Sequence, residues 1–291
     1  MAKSIIREQV FADIPEVVPT IGYFVDEEML SEYNKLVDKD YQGLQVLKPF
    51  TFDEKKGEVV GSNIPGKVLL FQKFLRPAGY EMSRLQELED ARAIHAKKSI
   101  AGLDTSGYCY VDTDLLLRKN TERTADIVAQ IAKLDAKLAK LNVPVAIGLD
   151  GLEVRVGGNL DGLSYVLTDN AKIYEAPIYA GKNKNFSRVK NGVPVEDKDG
   201  NRTVWNNDSL DIVRLSLGRS LDVGANFGDL AGSDDGGRVV LHRGGADGAK
   251  ILQEYTTKQN ANLQELEARL KGRYESNQVR IQQLATELKL D

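Results

Sequence analysis

The C-terminal end of the chain constrains its fold most. From Leu252, the positions Thr256, Gln259, Leu263, Leu266 and Leu270, then Tyr274, Asn277, Ile281, Leu284 and Leu288, recur at spacings that alternate between four and three. This alternation lines up one seam of an α-helix, and such a seam is buried by packing lengthwise against another helix. At about 1.5 Å per residue, the helix predicted from Lys250 to Leu290 extends roughly 60 Å.

The seam is not uniform. Between Leu270 and Tyr274 a spacing of four replaces the expected three, a phase slip that locally unwinds a left-handed supercoil. Gly272 falls at the same place and favours a bend. Asn277 sits on the seam, where a polar residue lowers stability but fixes register or strand number. Thr256 and Gln259 weaken the upstream turns, so the firmest contact is expected from Leu263 to Leu288, with the earlier turns as a stem. A second copy, another helix of the same chain and a helix of a different protein all satisfy such a seam.

One competitor is visible in the same chain. Ile127, Ile131, Leu134, Leu138 and Leu141 also alternate spacings of four and three, with Lys133, Asp135, Lys137 and Lys140 outside the seam. Asn120 can cap this helix and Pro144 closes it, which predicts a helix over 120–142.

Elsewhere the pattern is mixed. Asp26-Glu27-Glu28 opens a short helix with Met29, Tyr33, Leu36 and Val37 on one face. Residues 42–75 read as β-rich, with Val68-Leu69-Leu70-Phe71 as a strand, and a helix is expected from Glu81 to Lys98. Strand chemistry returns at 106–117. The tetrapeptide Leu-Asp-Gly-Leu occurs at 149–152 and again at 160–163, each copy leading into an apolar run. This is an echo of a strand-turn unit rather than a repeat architecture. Asn191-Gly192 and Asp199-Gly200 are hairpin-turn dipeptides. Residues 219–249 are rich in Gly and Asp and read as loops around one short strand, forming a linker.

With 42% apolar and 28% charged residues and a formal charge of −4, the chain has the means to bury a core and lacks the basic footprint of a nucleic-acid binder. Cys109 is the single cysteine, which excludes an intramolecular disulfide and a cysteine-based zinc site within one chain. The N-terminus shows no apolar signal segment and no run approaches a membrane span. The expected location is cytoplasmic, or within an assembled particle.

Three motifs bear on chemistry. Gly61-Ser62-Asn63-Ile64-Pro65-Gly66-Lys67 matches the start of a phosphate-binding loop through Gly61, Gly66 and Lys67, but Val68 stands where the magnesium-binding hydroxyl belongs. An ordinary β-turn fits it better. Asp197, Asp199 and Asn201 have the spacing of the first ligands of a calcium loop, yet Arg202 replaces its glycine and Asp208 its final glutamate. A polar hairpin tip between 193–195 and 203–205 accounts for the same residues. Cys109 has only His95 and His242 as possible imidazole partners, and its place in a strand between tyrosines fits core filling.

The sequence therefore points to an α+β chain. It has a mixed region over 1–118, a heptad-like helix with a β-rich hairpin region over 119–218, loops over 219–249, and a long coiled-coil-like helix over 250–291. The expected role is a non-enzymatic structural or assembly subunit forming a homo-oligomer, with no cofactor, and a virus or phage particle component suits this mixture. The alternatives are a nucleotide- or metal-dependent enzyme using the Gly61–Lys67 or Asp197–Asn201 loop, and an adaptor docking its C-terminal helix on another assembly protein.

Overall fold

The structure is a computed structural model and describes residues 6–7, 20–24, 26–55, 58–94, 110–218, 220–232 and 236–243, together with Lys271. The chain divides into two units, Met1–Ile14 with Thr20–Gly244, and Pro15–Pro19 with Gly245–Asp291. Apart from Lys271, every described residue belongs to the first. The C-terminal seam residues Leu263, Leu266, Leu270, Tyr274, Asn277, Ile281, Leu284 and Leu288 lie outside the described residues.

In chain order the first unit contains β1 (Ile6–Arg7), β2 (Thr20–Phe24), α1 (Glu27–Asp40), β3 (Thr51–Asp53), β4 (Glu58–Val60), α2 (Ile64–Leu70), β5 (Glu81–Met82), α3 (Leu85–Ile94) and β6 (Tyr110–Leu117). It continues with α4 (Ala125–Leu134), β7 (Val145–Gly148), β8 (Leu152–Leu160), β9 (Leu163–Leu167), β10 (Ile173–Glu175), β11 (Lys184–Lys190), β12 (Val193–Glu196) and β13 (Arg202–Asn206). It ends with β14 (Ile212–Gly218), β15 (Val223–Phe227), β16 (Gly237–Arg238) and β17 (Val240–Arg243). The content is mixed α and β, with a sheet-rich core and few helices.

The main sheet runs β12-β11-β13-β15-β14-β6-β16-β4-β3, and β7 joins it on β6, with β10 on β7. β6 is its hub. It lies antiparallel to β14 on one side, while on the other its start pairs with β16 and its end with β7. All eight of its residues are buried. A strand enclosed on both faces should read as a continuous apolar run, and Tyr110–Leu117 does so except at Asp112, Thr113 and Asp114.

Two apolar clusters flank this hub. Leu115, Leu117 and Ile212 belong to one, with residues of α1, α2, α4 and the β8–β9 hairpin. Val111, Leu116, Leu215, Leu217 and Val223 belong to the other, with Leu85 and Leu88 of α3. Asp114 pairs with Leu215 and Asp112 with Ser216, leaving Thr113 as a bulge. Cross-strand partners share a face, so the extra residue sends Asp112 and Asp114 to opposite faces of the sheet.

Local chemistry explains the helices. Asp26 caps α1 by accepting from Met29 N–H, and Leu30, Tyr33 and Val37 are its buried residues. The predicted 120–142 helix is shorter than expected. Thr124, not Asn120, is the residue before α4, and the helix ends at Leu134 because Asp135 is extended. The Asp135 carboxylate then accepts from the backbone N–H groups of Lys137 and Leu138, which starts a separate turn. The seam is thereby broken. Ile127 and Ile131 are buried, Leu134 is exposed, and Leu138 and Leu141 pack against the first cluster from outside the helix.

Other expectations change too. Val68–Leu70 belong to α2 rather than to a strand, because Asn63 caps a helix starting at Ile64 with Pro65 in its first turn. Glu81–Met82 form a short strand, and the helix expected there starts later, at Leu85. The stretch read as a linker carries β15, β16 and β17, all paired within sheets. Asp199-Gly200 is not a hairpin tip: β12 and β13 both pair with β11, which lies between them. The 197–201 segment crosses the end of β11 so closely that a side chain at Gly200 would meet the Phe186 backbone at 2.4 Å.

Candidate functional site

Two polar sites stand out in the first unit, one enclosed and one open. The enclosed site is built around β6. Asp114 is fully buried and accepts a hydrogen bond from the Tyr174 hydroxyl at 2.6 Å. Gly148 is its partner on β7, and a side chain there would meet Asp150 Oδ1 at 2.6 Å and Arg84 Cδ at 3.2 Å. The glycine thus leaves room for Arg84, which pairs with Glu87 and lies 4.0 Å from Asp150. Burial pushes the Asp114 carboxyl up to about 7 against the opposing pull of Tyr174, Thr113 and Arg84. Burial also raises Asp150, with Arg84 and Lys172 opposing.

Lys67 occupies the other side of this arrangement. Its ammonium is buried and donates to the Asp112 carbonyl. Burial pulls it down to about 8, against the attraction of Asp112 and Asp114. Gly66 is tight for packing reasons: a side chain there would lie 2.6 Å from the Phe50 ring. Asn63 accepts from Gly66 N–H and donates to the carbonyls of Val46 and Ala231. So Gly61 carries a turn at φ 78°, while Gly66 and Lys67 lie inside a buried helix. A phosphate cradle needs exposed N–H groups at a helix start, and these residues are committed elsewhere.

The Asp197–Asn201 segment is likewise a local turn. Asp197 accepts from Asp199 N–H, and hydrogen bonds from Ser187 and Asp199 hold its carboxyl below the usual range. Among the described residues no group of three or more His, Cys, Asp or Glu side chains is placed to hold a metal ion. His95 and Cys109 lie outside the described residues. No helix among the described residues is long and apolar enough to cross a membrane.

The open site lies on the face of the sheet turned away from the second apolar cluster. Across three strands, Trp205 of β13, Gly224 of β15 and Ser216 of β14 are register partners in one row. The missing side chain at Gly224 leaves a pocket of about 520 Å³, with Ser216, Gly218 and Gly224 as its floor and Trp205, Phe227 and Tyr110 around it. Trp205 and Phe227 are each 45% exposed. Trp205 is nevertheless anchored, because its indole N–H donates to Asp222 Oδ2 at 3.2 Å while Asp222 Oδ1 accepts from Thr203 N–H. The Arg214 guanidinium lies 4.7 Å from the Tyr110 ring centre and 5.2 Å from that of Phe227. Asn226 also lines the pocket, and its Oδ1 is buried with no hydrogen-bond partner among the described residues.

Sequence reading singled out none of Asp112, Asp114, Trp205, Asp222, Asn226 or Phe227. Two aspartates inside an apolar strand were a usable signal for the enclosed site. The open site had none beyond the single tryptophan, because its parts come from three strands and meet only through register. No family model, no curated protein and no solved structure matches the chain.

Proposed function

We propose that the chain is a non-enzymatic structural or assembly subunit that forms a homo-oligomer through its C-terminal helix, as a component of a virus or phage particle would. One observation carries this reading: the four-three seam from Leu263 to Leu288, an apolar stripe that a solvated helix has no use for. The way the body uses its buried charges supports it. Arg84 is engaged by Glu87, Arg202 by Glu89 at 2.6 Å and by the Leu221 carbonyl, and Arg118 by the carbonyls of Tyr179 and Ala225. Charges held this way fasten elements of the body to one another, as Arg202 does between β13 and α3, and are not presented to a substrate.

The test is the mass of the full chain in solution, by light scattering or sedimentation. The expected result is a defined multiple of the chain mass, lost when Leu266 and Leu284 are both changed to Asp. Asn277→Leu is expected to change the multiple, because the polar seam position restricts strand number. A chain that stays monomeric at high micromolar concentration, with or without those changes, would sink the reading.

A further inference from the structure

We infer that the pocket between Trp205 and Phe227 is a binding site for a neutral saccharide. This inference is independent of the assembly role, since it rests on the sheet face and not on the C-terminal helix.

The shape comes first. Gly224, between Trp205 and Ser216, opens the floor; a side chain there would already lie 2.9 Å from Ser216 Oγ. The resulting space of about 520 Å³ falls in the range of small-ligand sites and holds one or two sugar rings. Half-exposed aromatic rings are the second component. The negative face of an aromatic ring attracts polarised C–H bonds, and a pyranose presents such bonds on its flat faces. Trp205 is held for this purpose, since the Asp222 carboxylate fixes the indole edge. A ligand stacking on it spends little on ordering the side chain.

The polar groups decide the class. Asn226 Oδ1 is a buried acceptor without a partner among the described residues, and leaving such an atom unmet is unfavourable. Ser216 and Ser220 supply hydroxyls, and the Asp222 carboxylate keeps lone pairs beyond those used by Trp205 and Thr203. This acceptor-rich lining matches a ligand with several hydroxyl donors. Charge points the same way. The Arg214 guanidinium already occupies a face of Tyr110 and of Phe227, and its charge offsets that of Asp222 in the lining, so neither a cation nor an anion is favoured.

Trp205 is the only tryptophan in the chain, so fluorescence excited at the red edge, where the tyrosines do not absorb, reports on this pocket. The full chain is titrated with methyl glucoside, methyl galactoside and N-acetylglucosamine, and with their linear tetramers. The expected result is a saturable blue shift with at least one of them, with a Kd on the order of 1 mM for a single ring, as ligand efficiencies of ordinary size imply. Asn226→Ala and Gly224→Val should each weaken it by about tenfold or more, as loss of one well-placed polar or steric feature does. If Gly224→Val fails to fold, Asn226→Ala alone decides, because its side chain is only partly buried and its Oδ1 bonds nothing described. The inference is overturned by an absent response to every neutral sugar. A saturable response only to tetramethylammonium or to adenosine, or a sugar response unchanged in both variants, overturns it equally.

Discussion

Asp114 and Asn226 lie in the same sheet, and each brings a polar oxygen where water is scarce, but their surroundings treat them differently. Around Asp114 the fold supplies the Tyr174 hydroxyl, the Arg84 guanidinium and a bulge that turns the neighbouring Asp112 to the opposite face. Around Asn226 it supplies an opening, two half-exposed rings and an anchored indole. The first site gathers charge and closes over it, so its groups act on stability and its dependence on pH. The second leaves a buried acceptor unmet beside an open pocket, so its groups act more on binding than on stability. A polar residue in a sheet is thus a structural tie or a ligand contact according to whether neighbouring strands bring partners or space.

The largest effect expected from this contrast is at the enclosed site. Arg84→Ala leaves Glu87 without its cation and Asp150 with Lys172 alone, and breaking a pair from one side costs about 3–5 kcal/mol when fully enclosed. Arg84 and Asp150 are 15% and 17% exposed, so the lower end of that range is expected in urea unfolding.

The titrating groups act on the same scale, but as a change spread across pH. The Asp114 carboxyl is raised from 3.8 to about 7, so the folded chain keeps a proton that the unfolded chain releases. Its contribution is full below about pH 4, falls as pH rises and levels off above pH 7; the total is about 4 kcal/mol at about 1.4 kcal/mol per unit. Lys67 is lowered from 10.5 to about 8, so the unfolded chain holds the extra proton between those values. Its penalty is full below pH 8 and relieved towards pH 10.5, by about 3 kcal/mol. Together they place a stability minimum near pH 7–8. Asp114→Asn should remove the acid limb and Lys67→Met the alkaline one, each read as variant minus parent in unfolding curves across pH. A flat difference curve for either would break the comparison, since it would mean that group is not enclosed.

A smaller effect is expected for Tyr174→Phe, which removes the donor to Asp114. The loss should be about 1–3 kcal/mol above pH 7, where the carboxylate is charged, and less at pH 5. The smallest belongs to the open site. Trp205→Ala should change stability by about 1 kcal/mol, since roughly half of the side chain is covered, while abolishing any sugar binding measured by calorimetry. A large destabilisation by Trp205→Ala would show that its ring is a structural element, and the contrast between the two sites would then lapse.

Much of the local structure was legible in the residues themselves. Asp26 announced the start of α1, and Asn191-Gly192 made the tight turn between β11 and β12, with both residues at positive φ. The strand chemistry expected over 106–117 is found in β6, described from Tyr110 to Leu117. Non-local features were harder to read. The two Leu-Asp-Gly-Leu copies show why. In the second, Asp161 and Gly162 take φ 57° and 86° and form the exposed tip between β8 and β9. In the first, Asp150 is drawn inward towards Arg84, and a side chain at Gly151 would meet Ala171 Cα at 2.5 Å. The same four residues adopt different geometries because different chain segments pack over them.

By itself the sequence determined the capped start of α1 at Asp26 and the Asn191-Gly192 turn, because these depend on near neighbours along the chain. The four-three spacing from Leu263 to Leu288 is likewise a property of the sequence, and the seam expected from it lies outside the described residues. Only the tertiary structure decided that α4 stops at Leu134, that the apolar run after Gly66 is helical, and that Gly- and Asp-rich residues after Gly218 form paired strands. It alone placed Trp205, Gly224 and Ser216 in one row and sent Asp112 and Asp114 to opposite faces. The reason is register: residues far apart in the chain become neighbours only when strands pair, and one bulged residue reverses the face of everything beyond it.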